Sequence, residues 1–279
     1  MTKKIDLDHI AINIKDKMDE ACEQFTKLGF TLSPRGFHSL GSINHSMVFN
    51  NDYLELIGFP KGGTINRPEL VNADNGINGL VFKSSNIYKT FFNLKKEKIH
   101  FEKPRSFNRP VKIRNIEKKA EFRTVSINQD IIKAGRVYFC EHLTPNLVWM
   151  TNLKKHENTS FGIEKIIMID DNPDLTAKNI LKINKYIHVQ KTEDCLNLQF
   201  NNTNLSIFKI EKFKLNYKSL ITNMNLKNFM FSSISLKVKT LSFFHHLKNK
   251  NDSDFLIKIK KRKAQVVLKK FNAILEFVL

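Results

Sequence analysis

The stretch LDHIAINIKD, residues 7–16, alternates apolar and polar side chains from His9 onward and predicts a half-buried strand. Over residues 17–28 apolar side chains recur at helical spacing on one face, and Gly29 follows as the expected C-terminal stop. Three strand-like segments come next, TLSPRGF (31–37), INHSMVFN (43–50) and YLELIGF (53–59). The turns between them contain Gly-Ser and Asn-Asp pairs. The first unit is therefore βαβββ.

The same order returns after a Gly-rich linker at residues 61–78. GLVFKSS (79–85) predicts a strand, and residues 86–98 predict an amphipathic helix. Residues 104–119 are charged and are expected to form a loop, either functional or a disordered insertion. Three strands are then predicted, AEFRTVSI (120–127), RVYFCEH (136–142) and NLVWM (146–150).

A polar stretch at residues 153–160 predicts a domain boundary. Strand-then-helix patterns restart at residues 162–183 and again at 234–251. The closing AILEFVL (273–279) has the same pattern as YLELIGF. A single βαβββ module exposes a sheet face that another module must cover. The sequence thus predicts an α+β fold of four tandem βαβββ modules, paired into two domains at residues 1–154 and 158–279.

The composition excludes several classes of protein. The chain has 279 residues, of which 41% are hydrophobic and 10% aromatic, so it can bury a sizeable core. No run approaches the roughly 20 apolar residues of a spanning helix, and the N-terminus lacks a signal-peptide core, which argues against membrane and secreted proteins. Three cysteines without CxxC spacing predict neither a disulfide framework nor a zinc ribbon. A cytoplasmic location is expected.

The net charge of +19 raises the question of a nucleic-acid partner. Lysine outnumbers arginine 38 to 8, and the lysines are scattered rather than clustered, which favours a solvated surface and argues against nucleic acid. Seven of the eight arginines precede residue 140. Since the guanidinium fork binds carboxylate or phosphate bidentately, the first half of the chain is where we expect an anionic ligand.

Four motifs resemble one known group of proteins. They are LDHIAINIKD, LGFTLSPRGFH (28–38), NDYLELIGF (51–59) and FCEHLTPNLVW (139–149). Together they resemble the glyoxalase-like domain family of the vicinal oxygen chelate (glyoxalase/bleomycin resistance/extradiol dioxygenase) superfamily. The resemblance implies paired βαβββ modules and a small-molecule ligand. Members of the superfamily include lyases, dioxygenases, epimerases and antibiotic-binding resistance proteins, and fold alone does not choose among them.

The resemblance also implies a divalent metal, zinc, iron, nickel or manganese, held in the cup between two modules. His9 matches the first ligand and Glu55 the carboxylate on the module's last strand. In the second module, aligned by pattern, Gly79 and Val148 occupy the ligand positions, and neither has a donor side chain. His142 is the preferred substitute, with Glu141 also within reach. The alternative is a two-ligand remnant that binds its ligand without metal and needs no cofactor.

The C-terminal half retains less of the ligand pattern. Lys165 occupies the position that corresponds to His9, and only Glu276 corresponds to a ligand of the first half, Glu55. We therefore expect a degenerate second domain with a structural role.

Further polar residues lie in the motifs that carry the resemblance. Arg35, Asn44, Arg109 and Arg123 are the predicted substrate-binding residues. His38 and His45 are the predicted general bases, because imidazole titrates near neutral pH. The open alternative is that Arg35 and His38 hold a turn. Cys140 is expected to be a buried small hydrophobe rather than a nucleophile.

Two classes of function follow. The first is lyase, isomerase or oxygenase chemistry, metal-assisted where a metal is bound, on a small anionic compound. The second is a non-catalytic protein that binds a small molecule or toxin. Either would act as a monomer or homodimer. No Walker loop, GxGxxG or HExxH motif is present, so the usual signatures of nucleotide hydrolysis, dinucleotide redox chemistry and zincin proteolysis are missing.

Overall fold

The computed structural model describes residues 5–63, 65, 67–114, 116–250 and 253–279, without the side chain of Asn223. The first module follows the expected order. Its elements are β1 (Leu7–Lys15), α1 (Met18–Lys27), β2 (Gly36–Phe37), β3 (Ile43–Val48) and β4 (Tyr53–Gly58). Only two residues of the predicted strand at 31–37 pair, because β2 ends where the chain turns toward β3.

The second module differs from its predicted strands at two places. Its elements are α2 (Pro68–Val71), β5 (Gly76–Lys83), α3 (Ile87–Lys96), β6 (Arg105–Ile113), β7 (Ile116–Ile127) and β8 (Arg136–His142). The expected loop at 104–119 is wrong, since β6 and β7 form a long antiparallel hairpin. One pair of opposite charges, Lys112 and Glu117, faces across the two strands and stabilises the hairpin despite its polar sequence.

The predicted strand NLVWM is also wrong. Pro145 opens a 3-10 turn over Pro145–Leu147, and the amides of Leu147 and Val148 bond back to the carbonyls of Thr144 and Pro145. Those amides are therefore not available to a neighbouring strand. The last strand of the second module is β8.

The third and fourth modules repeat the arrangement. The third consists of β9 (Ser160–Ile169), α4 (Pro173–Ile183), β10 (His188–Lys191), β11 (Cys195–Gln199) and β12 (Asn204–Phe208). A connecting helix α5 (Ile210–Tyr217), absent from the prediction, leads to the fourth. The fourth consists of β13 (Met230–Val238), α6 (Ser242–Asn249), β14 (Leu256–Lys260), β15 (Lys263–Leu268) and β16 (Ala273–Val278). The predicted α+β fold of four βαβββ modules is confirmed.

The strands form two eight-stranded sheets of identical topology. The first has the order β2-β3-β4-β1-β5-β8-β7-β6, and the second β10-β11-β12-β9-β13-β16-β15-β14. In each sheet the opening strands of two modules pair antiparallel at the centre, and each opening strand pairs in parallel with the last strand of its own module. The first sheet ends at His142 and the second begins at Ser160.

One hydrophobic core joins both sheets. It contains Ile10 and Ile12 of β1 as well as Ile166 and Met168 of β9. Phe25 of α1 lies 6.4 Å, between ring centroids, from Phe271 near the C-terminus. The domain limits 1–154 and 158–279 stay a prediction, because this core crosses them. Alternate residues of β1, His9 among them, point to the opposite, concave face of the first sheet.

Among the residues that the structure describes, no helix is long and apolar enough to cross a membrane.

Candidate functional site

A cavity of about 800 Å³ lies on the concave face of the first sheet. Its wall is drawn from both modules and from the connection between them. The polar side chains that line it include His9, His38, Asn44, Glu55, Arg67, Arg109, Arg136 and Tyr138. Most of them are buried, so their charges and hydrogen bonds act in a medium of low polarity.

His9 is placed by a β-bulge in the first strand. Leu7 pairs with Phe82 and His9 with Val81, so Asp8 is an extra residue in the ladder. Because of this bulge the Asp8 carboxylate reaches its neighbour, with 2.6 Å between Asp8 Oδ1 and His9 Nδ1. Strand alternation alone would have pointed the two side chains to opposite faces. The His9 ring also stacks on Tyr53, with 4.3 Å between ring centroids.

The hydrogen bonds assign the tautomer of His9. Burial raises the pKa of Asp8, but the His142 charge and hydrogen bonds from both histidines lower it more, so its net pKa is below the ordinary value. An ionised carboxylate only accepts hydrogen bonds, so His9 Nδ1–H donates to Asp8. His9 Nε2 then faces the cavity, 3.2 Å from the Tyr138 hydroxyl.

Glu55 completes this cluster at the cavity floor. Its Oε2 lies 3.6 Å from His9 Nε2, and its Oε1 accepts a 2.7 Å hydrogen bond from Asn44 Nδ2. Burial raises the pKa of Glu55, but the His9 and His38 charges and the Asn44 bond outweigh it, so the net pKa is below the ordinary value. Glu55 is therefore an ionised, hydrogen-bonded carboxylate beside the His9 imidazole.

Strand pairing identifies the positions of the second module that correspond to His9 and Glu55. Ile10 faces Leu80 at the centre of the β1–β5 ladder, which makes Gly79 the counterpart of His9, as the sequence alignment predicts. Glu55 lies beside Ala11 in the β1–β4 ladder, and its counterpart beside Val81 is Tyr138. The assignment of Val148 to this position is thus corrected, because Val148 follows the 3-10 turn and not the last strand.

This donor set does not fit a divalent cation in the cup. Of the four corresponding positions only His9 and Glu55 carry strong metal ligands, since Gly79 has no side chain and Tyr138 is a phenol. Burial raises the pKa of Tyr138, which keeps it protonated. Tyr138 also occupies the His9 nitrogen that would face a metal.

Four arginines line the same cavity, namely Arg67, Arg105, Arg109 and Arg136. Arg67 is held by Glu69 and by the Ser42 hydroxyl, each at 2.8 Å. Arg136 donates from Nε to Asn78 at 2.7 Å, while its buried Nη2 has no hydrogen-bond partner among the described residues.

Arg109 adds a second unused guanidinium. It is 6% exposed and makes no hydrogen bond or ion pair within the described part of the chain. Gly36 allows its approach, because a Cβ at Gly36 would lie 2.8 Å from Arg109 Cδ and would collide with Asn44 Oδ1. The cavity therefore offers unsatisfied N–H donors to an anion.

The two predicted general bases are placed differently. His38 lines the cavity, and its Nδ1 lies 2.8 Å from Ser42 Oγ. Burial lowers the pKa of His38 to about 4, so the ring is neutral at pH 7. The ring nitrogens of His45 contact the Ser33 carbonyl at 2.7 Å and Arg35 Nε at 3.2 Å. His45 is not part of the cavity wall, and these contacts favour a structural role.

Two of the four predicted substrate-binding residues line the cavity, and two do not. Asn44 and Arg109 line the cavity. Arg35 pairs with Asp19 at the surface. Arg123 lies 3.9 Å from Glu141 and over the Tyr88 ring, again away from the cavity wall.

His142 lies close to His9 but faces elsewhere. Its Nε2 is 3.0 Å from Asp8 Oδ1, the same oxygen that accepts from His9. It lines a second cavity of about 480 Å³, together with Asp8 and Cys140. These three side chains offer one potential metal-ligand atom each, all within 4.8 Å of one another. The structure therefore groups His142 with Asp8 and Cys140, and leaves Glu55 with His9 in the larger cavity.

Sequence reasoning missed four residues of this site. Arg67 and Arg136 were visible only as members of the arginine-rich first half. Tyr138 would have been found by aligning RVYFCEH, rather than NLVWM, with YLELIGF. Asp8 carried no signal of its own, since an aspartate next to a strand histidine points away from it unless the strand bulges.

The structure is similar to several solved proteins. A hypothetical protein from Staphylococcus aureus matches with a TM-score of 0.66 and 16% identity, over 98% of each chain. A mutant of 4-hydroxymandelate synthase from Streptomyces coelicolor has a TM-score of 0.59 and 9% identity, over 99% of this chain and 93% of that one. The Mn(II)-bound glyoxalase from Novosphingobium aromaticivorans has a TM-score of 0.57 and 9% identity, over 99% and 82%. These likenesses show a shared fold.

Among curated proteins none matches the chain. The family model described as a glyoxalase-like domain matches residues 7–183, which covers the whole first sheet and the opening of the second. The chain therefore belongs to the glyoxalase-like domain family.

Proposed function

We propose that the first sheet binds a small anionic compound in its cavity and transfers a proton on it, as an isomerase or lyase does. The observation that carries the proposal is a pair of buried arginines in one cavity: Arg136, whose Nη2 has no hydrogen-bond partner among the described residues, and Arg109. A buried donor without a partner costs free energy until a ligand satisfies it. A carboxylate or phosphate supplies both the acceptors and the negative charge.

His9 is the proposed general base. Asp8 holds its Nδ1–H and so fixes the tautomer with the Nε2 lone pair toward the ligand. Tyr138 is the proposed hydrogen-bond donor to a ligand oxygen, because its phenol is protonated and already points at the His9 nitrogen. Glu55 stabilises the imidazolium that forms when His9 takes the proton.

A second candidate is binding without chemistry. It is favoured by the way the floor residues satisfy one another, with Asn44 on Glu55 and Tyr138 on His9. Such a closed floor needs a ligand to break hydrogen bonds before His9 can act. The arginines support both candidates equally.

The binding step is tested by calorimetric titration with inorganic phosphate and a panel of small mono-, di- and keto-carboxylates. Arg136→Lys and Arg109→Lys are each expected to weaken the tightest binder by at least about tenfold, because lysine cannot reproduce the guanidinium fork. Arg123→Lys is the matched control, since this arginine lies outside the cavity wall. Equal affinity in all three variants would refute the anion site.

The chemical step is tested in deuterium oxide with the keto-carboxylate of the panel that binds most tightly. Proton transfer at His9 incorporates deuterium at a carbon beside the carbonyl, and His9→Gln abolishes this exchange while binding persists. Binding without any exchange supports the second candidate.

A further inference from the structure

Three chemically different ligand atoms converge beside His9, between the Glu55 cavity and the second cavity. They belong to Asp8 on β1 and to Cys140 and His142 on β8, and all three lie within 4.8 Å of one another. Cys140 and His142 are two positions apart on one strand and therefore share a face. The bulge in β1 turns Asp8 toward them.

Two buried atoms of this group have no partner. Asp8 Oδ2 and His142 Nδ1 make no hydrogen bond among the described residues. His142 Nε2 lies 3.0 Å from Asp8 Oδ1, so an ion bound by both atoms would take the place of the proton that they now share. Asp8 Oδ2 is a buried acceptor that a hydrogen-bond donor or a cation would satisfy.

The ammonium group of Lys83 is already engaged. Lys83 lines the same cavity, but its Nζ donates to the Asn51 carbonyl and lies 5.1 Å from the centre of the Trp149 ring. Asp8 is fully buried, and its known partners, His9 and His142, both contact only Oδ1. Oδ2 remains open to another group.

We propose that Asp8, Cys140 and His142 form a site for a zinc-like transition-metal ion. One sulfur, one nitrogen and one oxygen ligand suit Zn²⁺, and three protein ligands leave a coordination position open. The cavity of about 480 Å³ beside the three side chains gives that position access to solvent or to a small ligand. Tetrahedral bond lengths require ligand atoms about 3.5 Å apart, which small side-chain rotations reach from the observed spacing.

The site is distinct from the His9–Glu55 pair, although Asp8 belongs to both arrangements. His9 donates to Asp8 Oδ1 and so would orient the carboxylate from outside the coordination sphere. Asp8 would then orient His9 toward the larger cavity and bind the metal ion beside the smaller one.

The experiment is metal binding to the full-length chain after treatment with a chelator. We expect the wild type to retain about one equivalent of Zn²⁺ after desalting, measured by elemental analysis, and to give a thiolate-to-metal absorption band with Co²⁺. Cys140→Ser should lose the thiolate band, and both Cys140→Ser and His142→Gln should lower the affinity at least about tenfold. Cys22→Ser and Cys195→Ser are matched cysteine controls and should behave as wild type.

The variant Glu55→Gln tests whether zinc binding is independent of the larger cavity. It should leave zinc affinity unchanged, because Glu55 lines the other cavity. Thermal unfolding of the metal-free variants checks that Cys140→Ser remains folded. Failure of the wild type to retain zinc, or loss of zinc in Glu55→Gln with retention in Cys140→Ser, would overturn the proposal.

Discussion

The two sheets share one topology, yet their concave faces differ completely. The face of the first sheet forms a polar cavity of about 800 Å³. On the second sheet the corresponding face is covered by α5, whose Phe213 and Tyr217 pack on Ile167, Val267 and Ile274. The connection between the paired modules thus decides whether the cup is open or filled. A fold of this kind does not by itself create a site.

The glutamates on the last strands of the first and fourth modules show the same difference. Glu55 has an amide, Asn44, on one oxygen and faces His9 and the cavity with the other. Glu276 is surrounded by donors of its own domain, namely Ser235, Gln265, Lys263 and Tyr217. The glutamate faces an open cavity in the first sheet, where no helix among the described residues corresponds to α5 and covers it, and is enclosed by donors in the second.

Truncating a side chain of α5 that packs on the concave face of the second sheet should have the largest effect on stability. Phe213 is fully buried, and Phe213→Ala is expected to lower the free energy of unfolding by about 3–5 kcal/mol, measured in urea. Leu215→Ala on the same helix is the control and should change it by less than about 0.5 kcal/mol, because Leu215 is 72% exposed. Equal losses in the two variants would show that α5 does not fill the cup.

The contact between the two sheets should make stability depend on pH. Asp52 Oδ1 accepts a 3.0 Å hydrogen bond from the Ile163 amide of β9. Burial raises the pKa of Asp52 from 3.8 to about 7, although this amide and the charges of Lys83 and Lys237 lower it in part. The folded state therefore holds one more proton than the unfolded state between about pH 4 and pH 7.

Stability should consequently fall as the pH rises through that window and level off above it. Asp52→Asn keeps an acceptor and cannot ionise, so we expect it to match wild type near pH 4 and to exceed it by up to about 4 kcal/mol at pH 8. Urea denaturation at several pH values measures this. Asp16→Asn, at an exposed acid, is the control. Parallel pH profiles for wild type and Asp52→Asn would contradict the prediction.

Glu276→Gln should separate stability from binding. The amide cannot accept hydrogen bonds from all the donors around it, so the free energy of unfolding should fall by about 1–3 kcal/mol. Anion affinity of the first sheet should stay within twofold of wild type. Glu211→Gln, at an exposed glutamate of α5, is the control for the charge change. A loss of anion affinity in folded Glu276→Gln would assign the second sheet a part in the site.

The smallest effect on stability is expected at Gly36. A methyl group there must displace Asn44 and Arg109, so Gly36→Ala should weaken anion binding about tenfold while lowering the free energy of unfolding by only about 1 kcal/mol. Gly162→Ala on the second sheet has open space around its new Cβ, apart from Asp52 Oδ1 at 4.0 Å, and should leave affinity unchanged. Calorimetry on both variants makes the comparison.

The sequence by itself determined the four modules, because alternation along a strand and periodicity along a helix are local properties. It also placed His9 and Glu55 at the strand positions where they are found, and it excluded a donor at Gly79. Its errors fall where local pattern misleads. The charged hairpin of β6 and β7 has few apolar residues to mark it, and the apolar NLVWM follows a proline that starts a turn.

Tertiary structure alone decided which of these residues meet. The bulge at Asp8, the register that sets Tyr138 against His9 and the closure of the second cup by α5 all depend on pairing between distant segments. Hydrophobic patterning specifies that a strand has a buried face, but not what covers that face. Whether it becomes a site or a core is decided by the connections that the rest of the chain places over it.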